Sequence, residues 1–169
     1  VVCATYGPPE ILHITELEKP VPGPDQVLVK IHATSVSVAD YRVRSFSVPL
    51  SFWIPARLAL GITKPKTKVL GMELSGTVEA VGSEVAGFRA GDTVMAEVGH
   101  SFGGYAEYIA LSVNKEGVAV TPIPTTLGME EAAVVPLGGL TALHFIRAAE
   151  LEPGQEILIY GASGSVGTY

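Results

Sequence analysis

Glycine and proline punctuate this chain from end to end. Together they fill 31 of its 169 positions, 19 as Gly and 12 as Pro, against a usual share of ~12%, and they are scattered instead of gathered into a linker. Each residue of either kind weakens or stops the interior of a helix or strand, so the elements must be short and the turns many. A turn-rich β domain follows from that spacing.

The strand-like runs fall between these breaks. Val1–Tyr6 and Ile11–Leu17 flank Gly7-Pro8-Pro9, and the stretch Lys19–Asp25, with three prolines and a glycine, forbids regular structure. Val27, Val29 and Ile31 then alternate with Leu28, Lys30 and His32, the period of a strand. Leu70–Val81, Asp92–Glu97, Tyr105–Leu111 and Val118–Val120 complete the set. Their number predicts a mainly β fold, a barrel or sandwich, over residues 1–127.

From Gly128 the period changes. Glu130 and Glu131 stand where a helix start favours acidic groups, and Leu137, Leu140, Leu143 and Ile146 keep a helical spacing up to Leu151, before Pro153-Gly154. Glu156–Tyr160 reads as a compact apolar strand. A run such as Ile157-Leu158-Ile159 suits a central parallel strand covered on both faces, and each large aliphatic side chain left in water forfeits ~1.5–3 kcal/mol. Residues 128–169 are therefore expected to be the connecting helix, first strand and glycine turn of an α/β domain that is truncated here. Val1 opens directly on a strand-like run, without Met, so residues are expected before it as well.

Charge and composition exclude several classes. Eleven Lys and Arg against 17 Asp and Glu give a net charge of −6, which offers no footprint for a nucleic-acid backbone. No run approaches the ~20 apolar residues of a membrane span, and no membrane partner is expected. The lone Cys3 rules out an internal disulfide or a multi-cysteine zinc site. It reads as a buried small hydrophobe in a strand, compatible with a reducing cytoplasm. His13, His32, His100 and His144 are scattered, with no pair at ligand spacing.

The segment with chemistry in it is Gly161-Ala162-Ser163-Gly164-Ser165-Val166-Gly167. After a strand and before a helix, such a turn cradles a dinucleotide: Gly164 lets the backbone approach the pyrophosphate, Gly167 allows close packing, and the amides near Gly164–Val166 point at the phosphates. Ala162 replaces the usual first glycine. The plainer reading is a strand-to-helix turn that uses glycines for geometry alone. A Walker turn is excluded, since no Gly-Lys-Ser/Thr follows.

Other motifs stand beside this turn: Tyr6-Gly-Pro-Pro-Glu-Ile-Leu12, the prolines from Pro20 leading into Val27-Leu-Val-Lys30, and Val81-Gly-Ser-x-Val85-x-x-Phe88-x-x-Gly91-Asp92-x-Val94. Gly103-Gly-Tyr-Ala-Glu-Tyr108, Pro136-x-x-Gly139-Leu-Thr-Ala142 and the glycine turn follow in order. Together with the β domain, these motifs resemble the medium-chain dehydrogenase/reductase superfamily in its zinc-independent, quinone-oxidoreductase-like branch. The resemblance runs over essentially the whole chain. It implies a GroES-like β-barrel catalytic domain (1–127) followed by the truncated start of a Rossmann domain (128–169). It also implies NADP or NAD as cofactor, NADP being favoured, a small quinone or α,β-unsaturated carbonyl as substrate, a cytoplasmic location and a homodimer for the full-length protein. The isolated fragment is expected to be inactive. The alternative is a non-catalytic binding or stress protein on the same scaffold.

The resemblance also sets expectations residue by residue. Where zinc-dependent relatives carry a cysteine and the histidine of a Gly-His-Glu triplet, this chain has Ser37 and Met72, so no metal is expected. Glu73, left from the triplet, is expected to support local structure. Without zinc, hydrogen-bond donors must stabilise developing negative charge, and Ser37 and Tyr41 are the catalytic candidates, Tyr41 lying one place off the tyrosine of some relatives. Thr141 matches a threonine that approaches the nicotinamide; its hydroxyl could equally bond back within its own helix. Gly161 to Gly167 are the cofactor-binding candidates. Asp40 and Arg44 either help shape the cleft or form an i, i+4 ion pair. The apolar stretch Phe46–Leu60 has two readings: Phe46, Phe52 and Trp53 wall a substrate cleft, or a helix over Ala56–Leu60 packs as core.

Overall fold

The computed structural model describes all residues 1–169. Its β-strands are β1 (Val2–Cys3), β2 (Leu12–His13), β3 (Gln26–Thr34), β4 (Glu73–Val81), β5 (Thr93–Glu97), β6 (Tyr108–Ser112) and β7 (Ala119–Pro122). The helices are α1 (Val38–Ser45), α2 (Trp53–Leu60), α3 (Met129–Ala132) and α4 (Val135–Ala148). Five strands form one antiparallel sheet in the order β6-β3-β4-β5-β7, while β1 and β2 pair separately.

β3 is central because its apolar residues supply the core. Val27 and Val29 are fully buried against Leu74, Val78, Val94, Ala96, Val98 and Leu111, and Ile31 packs at their edge. Lys30 and His32 face solvent, as the alternation predicts, but Leu28, expected on the same face, is buried. The register slips between Leu28 and Val29 and again between Ile31 and Ala33. Such bulges increase local twist, and the sheet curls into a half-barrel. A second cluster of Cys3, Leu70 and Phe102 anchors β1 and the loop before β4. Burial there pushes the Cys3 thiol above its ordinary value, so it behaves as the small hydrophobe expected.

The helices reach the sheet through polar links. Ser75, buried on β4, donates its hydroxyl to the Met129 carbonyl at 2.6 Å, and His32 on β3 meets Glu130 at 3.2 Å. Glu131 accepts the Gly128 N–H at 2.9 Å, closing the start of α3. The single helix expected from Met129 is two helices, broken at Ala133–Val134. Pro136 explains the break: it has no N–H to give the Ala132 carbonyl four residues back and its ring crowds that carbonyl, so α3 ends at Ala132 and Pro136 sits in the first turn of a new helix, α4.

The strand expected over Glu156–Tyr160 does not form. A strand exists only through a ladder with a neighbour, and none of the seven strands lies beside this segment. Leu158 is consequently 92% exposed and Tyr160 wholly so.

Candidate functional site

A cleft of about 1170 Å³ lies between the loop that enters α1, one side of α4 and the chain's last thirteen residues. Ser35 to Ala39, Glu73, Leu137, Ala142 and Ile146 form its walls, with Gly161, Gly164, Ser165, Val166 and Gly167 on the tail. The β domain and the glycine turn therefore face one space.

Ser37 sits at this cleft because it caps α1. Its hydroxyl accepts the Asp40 N–H at 3.3 Å and donates to Asp40 Oδ2 at 2.7 Å. Asp40 Oδ2 also accepts the Ser37 N–H at 3.0 Å, completing a reciprocal capping box. The other oxygen, Oδ1, accepts the buried Gly71 N–H at 3.0 Å. Asp40 is thus a buried carboxylate with its lone pairs well used, 3% exposed. It does not pair with Arg44, whose guanidinium donates to the Gly7 carbonyl instead. Of the two readings for this couple the ion pair fails, and Asp40 shapes the cleft through Ser37. Close by, the Tyr105 hydroxyl is buried without a hydrogen-bond partner; burial, then the charge of Asp40, holds its phenol far above the ordinary range.

Glu73 does more than support local structure. The residue is 3% exposed, and both carboxylate oxygens are satisfied, one from the neighbouring strand's end and one from across the cleft. Ser35 Oγ donates to Oε1 and the Leu137 N–H to Oε2 at 2.9 Å. Leu137 lies in the first turn of α4, where free amides and the helix dipole favour an anion. Glu73 therefore ties the sheet to the helix on the opposite wall. It pairs across the ladder with Glu97. Burial, and then the charge of Glu73, raises the Glu97 carboxyl above the ordinary carboxylate value, with His100 opposing.

The glycine turn is built as such a turn should be. Gly161 has φ +85°, and its carbonyl accepts the Gly164 N–H at 2.9 Å. A Cβ at Gly167 would stand 2.4 Å from that carbonyl and 2.7 Å from the Ala162 Cα, so only glycine fits. The Thr168 N–H reaches the Gly164 carbonyl at 3.1 Å, one helical bond, while the amides of Ser165, Val166 and Gly167 find no acceptor in the chain. Three successive free N–H groups on a cleft wall are what an anionic oxygen requires. Gly138 on α4 was not singled out from sequence but matters equally. A Cβ there would lie 2.8 Å from the Ser165 carbonyl and 2.7 Å from the Tyr169 ring, so its absence lets the tail seat on α4. The Tyr169 hydroxyl donates to the Val134 carbonyl at 3.1 Å.

The other candidates fall elsewhere. Tyr41 is half exposed on α1 and does not reach the cleft, and Ala162 and Ser163 turn away from it. Thr141 donates its hydroxyl to the Leu137 carbonyl at 2.6 Å and is absent from the lining, so in this structure it bonds back within its helix. Phe46, Phe52 and Trp53 do not wall the cleft either. Phe46 and Trp53 close with Tyr6 around the Arg57 guanidinium, 3.7 Å from the Phe46 ring centre, 4.8 Å from Tyr6 and 5.1 Å from Trp53. α2 contributes to the core only through its end: none of its residues is fully buried, and Leu60, half-buried, packs against the Cys3–Leu70–Phe102 cluster. No three His, Cys, Asp or Glu side chains come together where they could hold a metal ion.

With this geometry in hand, likeness to known proteins is informative. Residues 23–124 match the alcohol dehydrogenase GroES-like domain. The chain is 35% identical over 167 residues to a quinone oxidoreductase of Pseudomonas aeruginosa, covering 98% of this chain and 46% of that protein. It superposes on the quinone oxidoreductase of Coxiella burnetii with a TM-score of 0.80 at 30% identity, covering 99% of this chain and 50% of that one. For the Escherichia coli quinone oxidoreductase complexed with NADPH the TM-score is 0.78 at 25% identity, covering 98% and 46%. The chain spans about half the length of these relatives.

Proposed function

Since this chain belongs to the alcohol dehydrogenase GroES-like family, in the quinone-oxidoreductase-like branch of the medium-chain dehydrogenases/reductases, we propose that it is the catalytic-domain half of a zinc-independent, NAD(P)H-dependent reductase of quinones or α,β-unsaturated carbonyls. One observation carries the proposal: Ser165, Val166 and Gly167, whose amides have no acceptor in the chain, line the same cleft as Ser37. Free amides fit a diphosphate by charge, and the cleft volume suits a dinucleotide with a small acceptor. Nicotinamide, when bound, would supply the hydride. NADPH is the favoured form, on the strength of the E. coli relative's complex.

The residues here bind and orient. Residues 165–167 would hold the phosphates, Gly167 lets the turn close on Gly161 and Ala162, Gly138 lets the tail seat on α4, and Glu73 fixes α4 to the sheet. Ser37 is the donor nearest the acceptor's oxygen. To serve it, the hydroxyl must release Asp40, which keeps the Ser37 and Gly71 amides. That exchange gives up one charge-assisted hydrogen bond, worth ~1.5–3 kcal/mol, against a new bond to the developing oxyanion. A zinc-independent reaction is supported by the donor set, since the hydroxyl of Ser37 and the thioether of Met72 are poor zinc ligands. Cytoplasmic residence and a homodimer of the full-length protein belong to the same proposal. No helix is long and apolar enough to cross a membrane.

A second reading, nucleotide binding without catalysis, is favoured by one fact: the hydroxyls of Ser37 and Thr141 are both committed within the chain. The test is the full-length protein titrated with NADPH by calorimetry and assayed for NADPH oxidation across a quinone and enone panel. Gly167→Ala is expected to weaken NADPH binding on the order of tenfold or more, since the Cβ must displace the turn's backbone. Unchanged binding in that variant refutes the phosphate site. Binding with no turnover of any acceptor selects the second reading.

A further inference from the structure

The whole-chain charge of −6 conceals a sharp division. Between Tyr41 and Met72 the chain carries six of its 11 cations and none of its 17 acids, so this stretch holds +6 and the remainder −12. None of these six cations has a carboxylate within 4 Å; the ion pairs of the molecule involve Lys19, His32 and Arg89. The same stretch carries the largest concentration of exposed apolar side chains outside the cleft. Leu50 is 89% exposed, Ile54 and Ile62 each 67%, Leu58 63%, with Phe52 and Trp53 beside them. Scattered exposed hydrophobes need no explanation, but six from Leu50 to Ile62, around one helix, form a patch that does.

The patch is held rigidly. Arg57, caged by Tyr6, Phe46 and Trp53, donates to the Ile62 carbonyl at 2.7 Å. Lys66 folds back to the Leu58 carbonyl at 2.6 Å, with its N–H on the Leu60 carbonyl. The lysine-bearing loop therefore lies against the end of α2, next to Leu58 and Ile62. Arg42, Lys64 and Lys68 are left exposed to solvent and have no carboxylate partner.

We propose that α2 and the loop to Lys68 form a peripheral docking surface for an anionic lipid bilayer. An exposed apolar helix face with a tryptophan and flanking lysines is the chemistry that seats a helix at the lipid headgroup level, and each cation adds attraction to an anionic leaflet. A second copy docked through the same face would set Arg57, Lys64, Lys66 and Lys68 against the same four cations, which disfavours a two-fold dimer there. The sequence expectation of no membrane partner rested on the absence of a span; surface docking needs none.

The test uses the protein expressed from its complete reading frame, sedimented with phosphatidylcholine vesicles with or without phosphatidylserine. Binding is expected only with phosphatidylserine, lost in high salt, and accompanied by a blue shift of the Trp53 fluorescence that disappears in Trp53→Phe. Replacing Lys64 and Lys68 with Gln is expected to weaken partitioning roughly 25-fold, about fivefold per cation. Ile54→Asn with Leu58→Asn should weaken it on the order of tenfold or more. All are surface positions, and an unchanged thermal transition verifies folding. Four results overturn the proposal: no binding to phosphatidylserine vesicles, binding indifferent to these substitutions, Trp53 inaccessible to an aqueous quencher in the complete protein, or, with no vesicle binding, an association with an acidic protein or another copy that the same substitutions abolish.

Discussion

Asp40→Ala tests most directly whether the cleft is assembled as described. The carboxylate accepts three hydrogen bonds, from Ser37 N, Ser37 Oγ and Gly71 N; the first is its half of the box that starts α1, while the other half, Asp40 N–H to Ser37 Oγ, survives the substitution. Losing the two bonds from Ser37 costs about 1 kcal/mol, since both donors are only half-buried. The Gly71 amide is different because it is buried. Stranding it without an acceptor adds ~1–3 kcal/mol, and no water-exposed route relieves it as it would for the half-buried Ser37. The expected total is about 3 kcal/mol, large for a single polar residue. Urea unfolding followed by far-UV circular dichroism, at constant slope, reads it as a shift in midpoint. Asp40→Asn keeps the shape and one acceptor oxygen, so it should lose roughly half as much. Ser37→Ala combined with Asp40→Ala should be less destabilising than the two single losses summed, because the Ser37 Oγ bond to Asp40 is then counted once. A loss below about 1 kcal/mol in Asp40→Ala would show that Gly71 is satisfied some other way and that Asp40 does not hold the Ser37 loop.

Glu97→Gln is expected to stabilise the protein at pH 7 relative to pH 4. Burial and Glu73 raise the folded Glu97 carboxyl above its ordinary value of 4.5, so the folded state holds the proton more tightly, and this stability contribution is complete below 4.5 and lost as pH rises through the folded value. Equal effects of the substitution in urea melts at the two pH values contradict that arrangement. Thr141→Val should leave the NADPH dissociation constant of the full-length protein within about twofold, since its hydroxyl serves the Leu137 carbonyl. A tenfold loss by calorimetric titration means instead that the hydroxyl leaves the helix to meet the cofactor.

What was legible in the sequence, and what was not, divides by the distance between partners. The core of β3 could be read from Val27 and Val29 because side-chain period is a local property, and the glycine turn could be read because positive φ at Gly161 and the crowding at Gly167 arise within seven residues. The helix break is a local matter too, since Pro136 denies a hydrogen bond to the carbonyl only four residues back, at Ala132. Glu73 was not. Its value comes from Ser35 and Leu137, 38 and 64 residues away, and nothing near it in the chain announces either. Phe46 and Trp53 misled for a related reason. An apolar run suggests a cleft or a core, but the residue that organises this one is a cation, Arg57, which draws three rings to itself and leaves most of α2 in solvent. Identity of side chains thus sets which elements form, whereas the charges decide how they are tied together. In this molecule both ties that matter, Glu73 across the cleft and Arg57 within its cage, are single acidic or basic side chains fixed by several neighbours. Each is stable only because its neighbours leave it little freedom.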